Sequence, residues 1–142
     1  MKQQYIPYDL DAEESVLGAV LLKPDSLSRI VDIILPDDFY KKVHGVIYEA
    51  MLSCYEKGEI IDPVILVDRI KKNSSSKVDS EEHIFNILKT VPSAANIQSY
   101  ARIVKDKSLL RKLIDVSTNI AELASGSVDD VKGVLDKAEN LV

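Results

Sequence analysis

Residues 91–123 read VPSAANIQSYARIVKDKSLLRKLIDVSTNIAEL, and the fold is decided there. No proline or glycine interrupts the chain from Ile97 to Ser125. A helix over that stretch would span roughly 40 Å, more than the ~30 Å width of a small domain, so part of it is expected to project. Leu109, Leu113, Val116, Ile120 and Leu123 recur at i, i+4, i+7, i+11 and i+14, which lines one stripe of a helix as a coiled-coil seam does. Ile103, Leu110, Ile114 and Ala121 form a second stripe, turned by about 120° on a wheel of about 100° per residue. A helix buried centrally among others would also be apolar on two sides. The length favours instead one neighbour from the same chain and one from another chain, with Ile103, Leu109, Leu110, Leu113, Val116, Ile120 and Leu123 as the self-association residues.

The intrachain neighbour lies just downstream. Gly126 breaks the helix, and Ser127 with Asp129 and Asp130 supplies an N-cap and first-turn acids suited to a new helix dipole. Val128, Val131, Leu135, Ala138 and Leu141 or Val142 then repeat at helical spacing, which predicts a helical hairpin. The expected division is a helical globular head with an N-terminal arm over 1–95 and the hairpin over 96–142. The second arm stops at Val142 in mid-pattern without a cap, which reads as a cut inside a longer protein, whereas Met1 reads as a natural start.

Upstream, nearly every segment reads as helix. Residues 1–9, with Pro7, form an extended arm before an acid-started helix over Asp11–Leu22. Pro24-Asp25-Ser26 restarts the chain, and Leu27, Ile30, Val31 and Ile34 give a second helix one apolar face, ended at Leu35-Pro36 because the residue before proline is pushed out of helical angles. A third helix covers roughly Tyr40–Lys57, with Val43, Ile47, Ala50, Met51, Cys54 and Tyr55 at core spacing and Gly58 as its stop. Asp62-Pro63 opens a fourth in the N-cap then N1-proline arrangement, carrying Ile65, Leu66 and Ile70 inward. Asn73-Ser-Ser-Ser-Lys77 is a polar loop. Ser80-Glu-Glu begins a fifth helix bearing Ile84, Phe85, Ile87 and Leu88, ended by Pro92. The predicted class is all-α: a globular helical head followed by a projecting helical hairpin.

Composition narrows the function. The 142 residues are 46% hydrophobic and 29% charged, as in an ordinary globular protein. A formal net charge of −5 argues against a surface built to neutralise phosphates, so no direct tight nucleic-acid binding is expected. Lys105, Lys107, Arg111 and Lys112 are the densest basic group, and Asp106 and Asp115 interrupt them. The single cysteine, Cys54, excludes an intrachain disulfide, and the N-terminus lacks a secretory layout, so a cytoplasmic location is expected. No apolar run approaches the ~20 residues of a membrane span.

Catalytic patterns are absent. There is no Gly-x-x-x-x-Gly-Lys-Ser/Thr loop to cradle phosphates. His44 and His83 lie on different predicted helices and, with one cysteine, fall short of a zinc set unless carboxylates join them; no metal is expected. His44 follows Asp38-Phe39-Tyr40 by one helical turn, either as a hydrogen-bonded partner holding that turn or as a half-buried packing residue. Cys54 sits on a core-facing stripe, where thiols are inert. Asp37 with Asp38, and Asp129 with Asp130, lie at helix starts, where capping accounts for them. The expectation is a chain with no catalytic residues and no cofactor.

Asp11-Ala-Glu-Glu-Ser-Val-Leu-Gly-Ala, Leu35-Pro-Asp-Asp-Phe-Tyr with His44 and Ile47-Tyr48, Gly58-Glu-Ile-Ile-Asp62, Val91-Pro-Ser-Ala-Ala-Asn-Ile97, Tyr100-Ala-Arg-Ile-Val104 and Leu110-Arg-Lys-Leu-Ile114 follow one another in order. Together they resemble the N-terminal domain of the bacterial replicative DNA helicase of the DnaB family. Where that family commonly has Gly-Gly before an aromatic, this chain has Asp79-Ser80 and then His83. The resemblance implies a noncatalytic collar of dimers on a hexameric ring, which holds the ring together and docks the C-terminal helicase-binding domain of primase. ATP and magnesium would belong only to a RecA-like ATPase domain beyond Val142. By position, Asp11, His83, Ile114 and Ile120 are the primase docking candidates. The alternative is a freestanding helical adaptor or helicase-loader-like protein.

Overall fold

A computed structural model describes residues 5–73, 79–90, 93–125 and 130–142. Among them the fold is all-α, with six α-helices and no strand. Helix α1 covers Leu10–Leu22. It starts ahead of the expected Asp11 because the Asp9 carboxylate accepts the Ala12 N–H at 2.9 Å, the N-cap bond that satisfies an otherwise orphaned donor. Val16, Leu17, Ala19 and Val20 are fully buried, and α1 packs against α2 (Lys42–Glu56), α4 (Ser80–Thr90) and the segment that follows it.

That segment corrects the sequence reading. Residues Pro24–Arg29 form a 3-10 helix and not the start of an α-helix running to Ile34. Some ten residues between Pro24 and Pro36 leave little to offset the cost of nucleating an α-helix. The Ser26 hydroxyl also donates to Lys23 O at 2.6 Å, tightening the first turn. Ile30 N–H reaches Leu27 O and Ile33 N–H reaches Ile30 O, the i to i+3 pattern of a 3-10 turn. The expected apolar face survives, since Leu27, Ile30 and Ile34 are buried.

A second 3-10 turn, Pro36–Asp38, leads into α2, which begins at Lys42 and not at the expected Tyr40. Ile47, Ala50, Met51 and Cys54 are buried as the spacing predicts, whereas Tyr55 is 44% exposed. Gly58 ends α2 at φ +67, with Gly58 N–H on Tyr55 O and Glu59 N–H on Cys54 O. This is a Schellman termination, and its left-handed residue favours glycine. Gly45 lets α2 run close to the second 3-10 turn, since a Cβ there would lie 2.8 Å from Pro36 O.

Helix α3 (Pro63–Asn73) is capped by Asp62, whose Oδ1 accepts Ile65 N–H at 2.9 Å. Leu66, Val67 and Ile70 are buried, and α3 packs on α2 and α4. On α4, Ile84 and Ile87 point inward while Phe85 is exposed, so only part of the expected face is used. Most of the polar loop after Asn73, and the Pro92 stop, lie outside the described residues.

Helix α5 spans Ile97–Ser125, the bounds that the uninterrupted stretch predicts. The chain divides into two compact units, Tyr8–Ser108 and Met1–Pro7 with Leu109–Val142. The division falls inside α5, whose Ile97, Ala101, Val104 and Ser108 are buried in the first unit. In the second unit, α6 covers Val131–Leu141, and Asp130 caps it by accepting Gly133 N–H at 3.0 Å. Gly126, Ser127 and Asp129, expected to form the break and cap, and Val128, expected to begin the apolar repeat of the return helix, lie outside the described residues. No helix among the described residues is long and apolar enough to cross a membrane.

Candidate functional site

Two buried polar clusters organise the Tyr8–Ser108 unit. In the first, Glu13 of α1 is 1% exposed and turned inward, away from the solvated first-turn role that its position in the sequence suggests. Its carboxylate accepts Tyr40 N–H at 2.8 Å and Lys41 N–H at 3.3 Å, two donors just ahead of α2, which has no side-chain cap of its own. Glu13 therefore acts as a cap supplied from another helix. The same carboxylate lies 2.7 Å from His44 Nδ1. His44 is fully buried and hydrogen-bonded, which decides between its two sequence readings.

His44 also meets α4, its Nε2 lying 2.7 Å from Nε2 of His83. His83 Nε2 is in turn 3.9 Å from Glu14 Oε1, and one ligating atom from each of Glu14, His44 and His83 falls within 4.8 Å of the others. Burial lowers the His83 pKa from its ordinary value, and the charges of His44 and Lys41 act in the same direction. The carboxylates that the two histidines lacked in the sequence are thus supplied by α1.

In the second cluster, Asp38 is 1% exposed. It accepts Leu35 N–H at 2.7 Å, the Ser108 hydroxyl at 2.7 Å and Lys105 Nζ at 3.3 Å. Burial alone would raise its pKa, but the bonds from Leu35 and Ser108 and the Lys105 charge outweigh it and hold the carboxyl below its usual value. Asp38 is a cap, as expected, and it also ties Lys105 and Ser108 of α5 to the second 3-10 turn. The Tyr48 hydroxyl nearby donates to Ile34 O at 3.1 Å, and burial pushes its pKa up.

The unit containing α6 is built differently: none of its α5 or α6 residues is buried. Partial burial falls on Arg111, Ile114, Val116, Ile120 and Leu123 of α5 and on Gly133, Val134 and Ala138 of α6. Leu109, Leu110, Leu113, Val131 and Leu135 are exposed, Leu113, Val131 and Leu135 by more than 60%. Arg111 Nη1 donates to Pro7 O at 2.9 Å, fastening the N-terminal arm to α5 within this unit.

The four docking candidates fall in two units. Asp11 is exposed on α1 and His83 half-buried on α4, whereas Ile114 and Ile120 are half-buried on α5. The sequence reading missed Glu13 and Glu14 as partners of the histidines. A signal for Glu13 was present: it falls at i, i+3, i+4 and i+7 with Val16, Leu17 and Val20, on the core stripe of its helix.

Residues 5–106 match the family model of the DnaB-like helicase N-terminal domain. The chain is 37% identical over 137 residues to the replicative DNA helicase DnaC of Bacillus subtilis, covering 96% of this chain and 30% of that protein. It is 38% identical over 138 residues to the replicative DNA helicase DnaB of Pasteurella multocida, again spanning 30% of the relative. The fold superposes on the N-terminal domain of DnaB helicase from Mycobacterium tuberculosis with a TM-score of 0.87 at 32% identity, covering 96% of this chain and 97% of that one. The corresponding domain from Helicobacter pylori, a structure described together with its interactions with primase, gives 0.73 at 27% identity over 82% of this chain and 91% of that one.

Proposed function

This chain belongs to the DnaB-like helicase N-terminal domain family, and from that premise we propose that it is the noncatalytic collar module of a replicative DNA helicase. In this reading it self-associates through the helices of the Leu109–Val142 unit and offers a docking surface to primase. The observation that carries it is the bare apolar surface of that unit, where Leu109, Leu110, Leu113, Val131 and Leu135 are exposed and no described residue of α6, or of α5 from Leu109 onward, is buried. Contiguous exposed apolar side chains on a small folded unit mark a protein interface. ATP-driven unwinding, with its nucleotide and magnesium, is assigned to the remainder of a longer protein, because the 142 residues contain no phosphate loop.

Primase docking is supported by likeness to the Helicobacter pylori domain and by the accessible positions among the four candidates. Light scattering across a concentration series tests self-association: a species that stays monomeric at the highest concentration overturns it. Titration with the cognate primase C-terminal domain tests docking. Unchanged affinity in both Ile114→Asp and Ile120→Asp, with the fold intact, removes the hairpin from the docking surface.

A further inference from the structure

We propose that Glu14, His44 and His83 form a binding site for a divalent transition-metal ion of the zinc class, which on binding ties α1, α2 and α4 together. Two imidazole nitrogens and one carboxylate oxygen are a donor set that suits Zn²⁺ and its first-row neighbours, in contrast to the all-oxygen sets of Mg²⁺ and Ca²⁺. The three donors come from three different helices and already lie within 4.8 Å of one another.

The orientation of His44 is the strongest sign. Its Nδ1 lies 2.7 Å from the Glu13 carboxylate, which is itself fixed by Tyr40 N–H and Lys41 N–H. A neutral ring that donates Nδ1–H to this acceptor presents a bare Nε2 lone pair toward His83 and Glu14. A carboxylate on one ring nitrogen with the other nitrogen free for the metal is the outer-shell arrangement that orients ligating histidines and raises their basicity. Here that second shell is buried and complete.

Metal bonds of about 2.0–2.2 Å in a tetrahedron place neighbouring donors about 3.4 Å apart. The histidine nitrogens, at 2.7 Å, would part by about 0.7 Å; Glu14, at 3.9 Å from His83, would close by about 0.5 Å; and the widest separation among the three donors, 4.8 Å, would close by about 1.4 Å. His83 and Glu14 have side-chain exposures of 17% and 36%, so they can move, and the site is open to water for a fourth ligand.

The test uses the 142-residue chain, stripped of metal by chelator and titrated with zinc chloride alone. Calorimetry is expected to show one ion per chain, and the melting temperature to rise with zinc concentration, as it must for a ligand that binds the folded state. Cobalt(II) in place of zinc should give the intense visible bands of a four-coordinate site. His83→Ala should abolish the thermal shift and the cobalt bands, and Glu14→Gln should weaken binding by about tenfold or more. Both side chains are partly exposed, so far-UV circular dichroism is expected to show an unchanged fold. The absence of one-to-one binding overturns the proposal and leaves a proton shared between the two imidazoles. An undiminished shift in His83→Ala also overturns it, by placing the ion elsewhere.

Discussion

The two halves of α5 are one uninterrupted helix with opposite fates. From Ile97 to Ser108 the helix buries Ile97, Ala101, Val104 and Ser108 in the head, with Asp38 bonded to Ser108 and Lys105. From Leu109 to Ser125 it buries nothing, although that half holds Leu109, Leu110, Leu113, Ile114, Val116, Ile120 and Leu123. Hydrophobic periodicity therefore reports that a face is made for burial without reporting what buries it. The head's answer is internal and partly polar. The second half finds no burial among the described residues, and under the proposed function another copy of the chain supplies it.

If the head owes its geometry to buried carboxylates, their loss must cost far more than any change on the bare half of α5. Glu13→Ala strands Tyr40 N–H and Lys41 N–H and removes the acceptor at His44 Nδ1. Urea unfolding is expected to show a loss of about 3 kcal/mol or more, because each buried group left unpaired keeps its desolvation cost. A loss below about 1 kcal/mol would show that water replaces the carboxylate and that the cap across helices is incidental.

Asp38→Asn is the next largest, at about 1–3 kcal/mol near neutral pH, and it carries a pH signature. A carboxyl held below its ordinary value of 3.8 stabilises the fold above that pH and loses its contribution as pH falls through its lowered, folded-state value. Wild type and variant should therefore differ at neutral pH and converge as the pH drops from about 4 toward about 2. Unfolding midpoints measured along that range check the sign, and a difference that widens in acid contradicts it. Gly45→Ala follows at about 1–3 kcal/mol, because a Cβ would sit 2.8 Å from Pro36 O, where the contacted atom is backbone and cannot swing aside. A thermal melt equal to wild type would mean that the second 3-10 turn shifts freely.

What was legible in the sequence follows from the range of the forces concerned. The bounds of α5, the Schellman stop at Gly58 and the Asp62 cap are set by residues within a turn or so of one another, and each could be read directly. The segment after Pro24 misled because its apolar spacing suits an α-helix and a 3-10 turn alike over so short a length. The Glu13, His44 and His83 cluster joins positions 31 and 39 residues apart, so no local pattern contains it. What the sequence did carry was a half-signal: Glu13 stands on the core stripe of α1, and His44 stands at i, i+3, i+4 and i+7 with Ile47, Tyr48 and Met51 on that of α2. A buried acid and a buried histidine on facing stripes call for each other, since neither is buried cheaply alone.

The smallest stability effect tests the comparison most sharply. Leu113 is 62% exposed on the half of α5 that buries nothing, so Leu113→Ser removes little burial from a single chain. Unfolding at low protein concentration should stay within about 0.5 kcal/mol of wild type, as for other surface substitutions. At high concentration the same change should weaken self-association, because a hydroxyl would then replace an apolar anchor inside an interface. The two measurements separate internal burial from burial by a partner. A loss above about 1 kcal/mol in the dilute chain would mean that Leu113 is packed within its own unit and that the halves of α5 differ less than their exposures indicate. Concentration dependence equal to wild type would instead move the interface toward α6, to its exposed Val131 and Leu135.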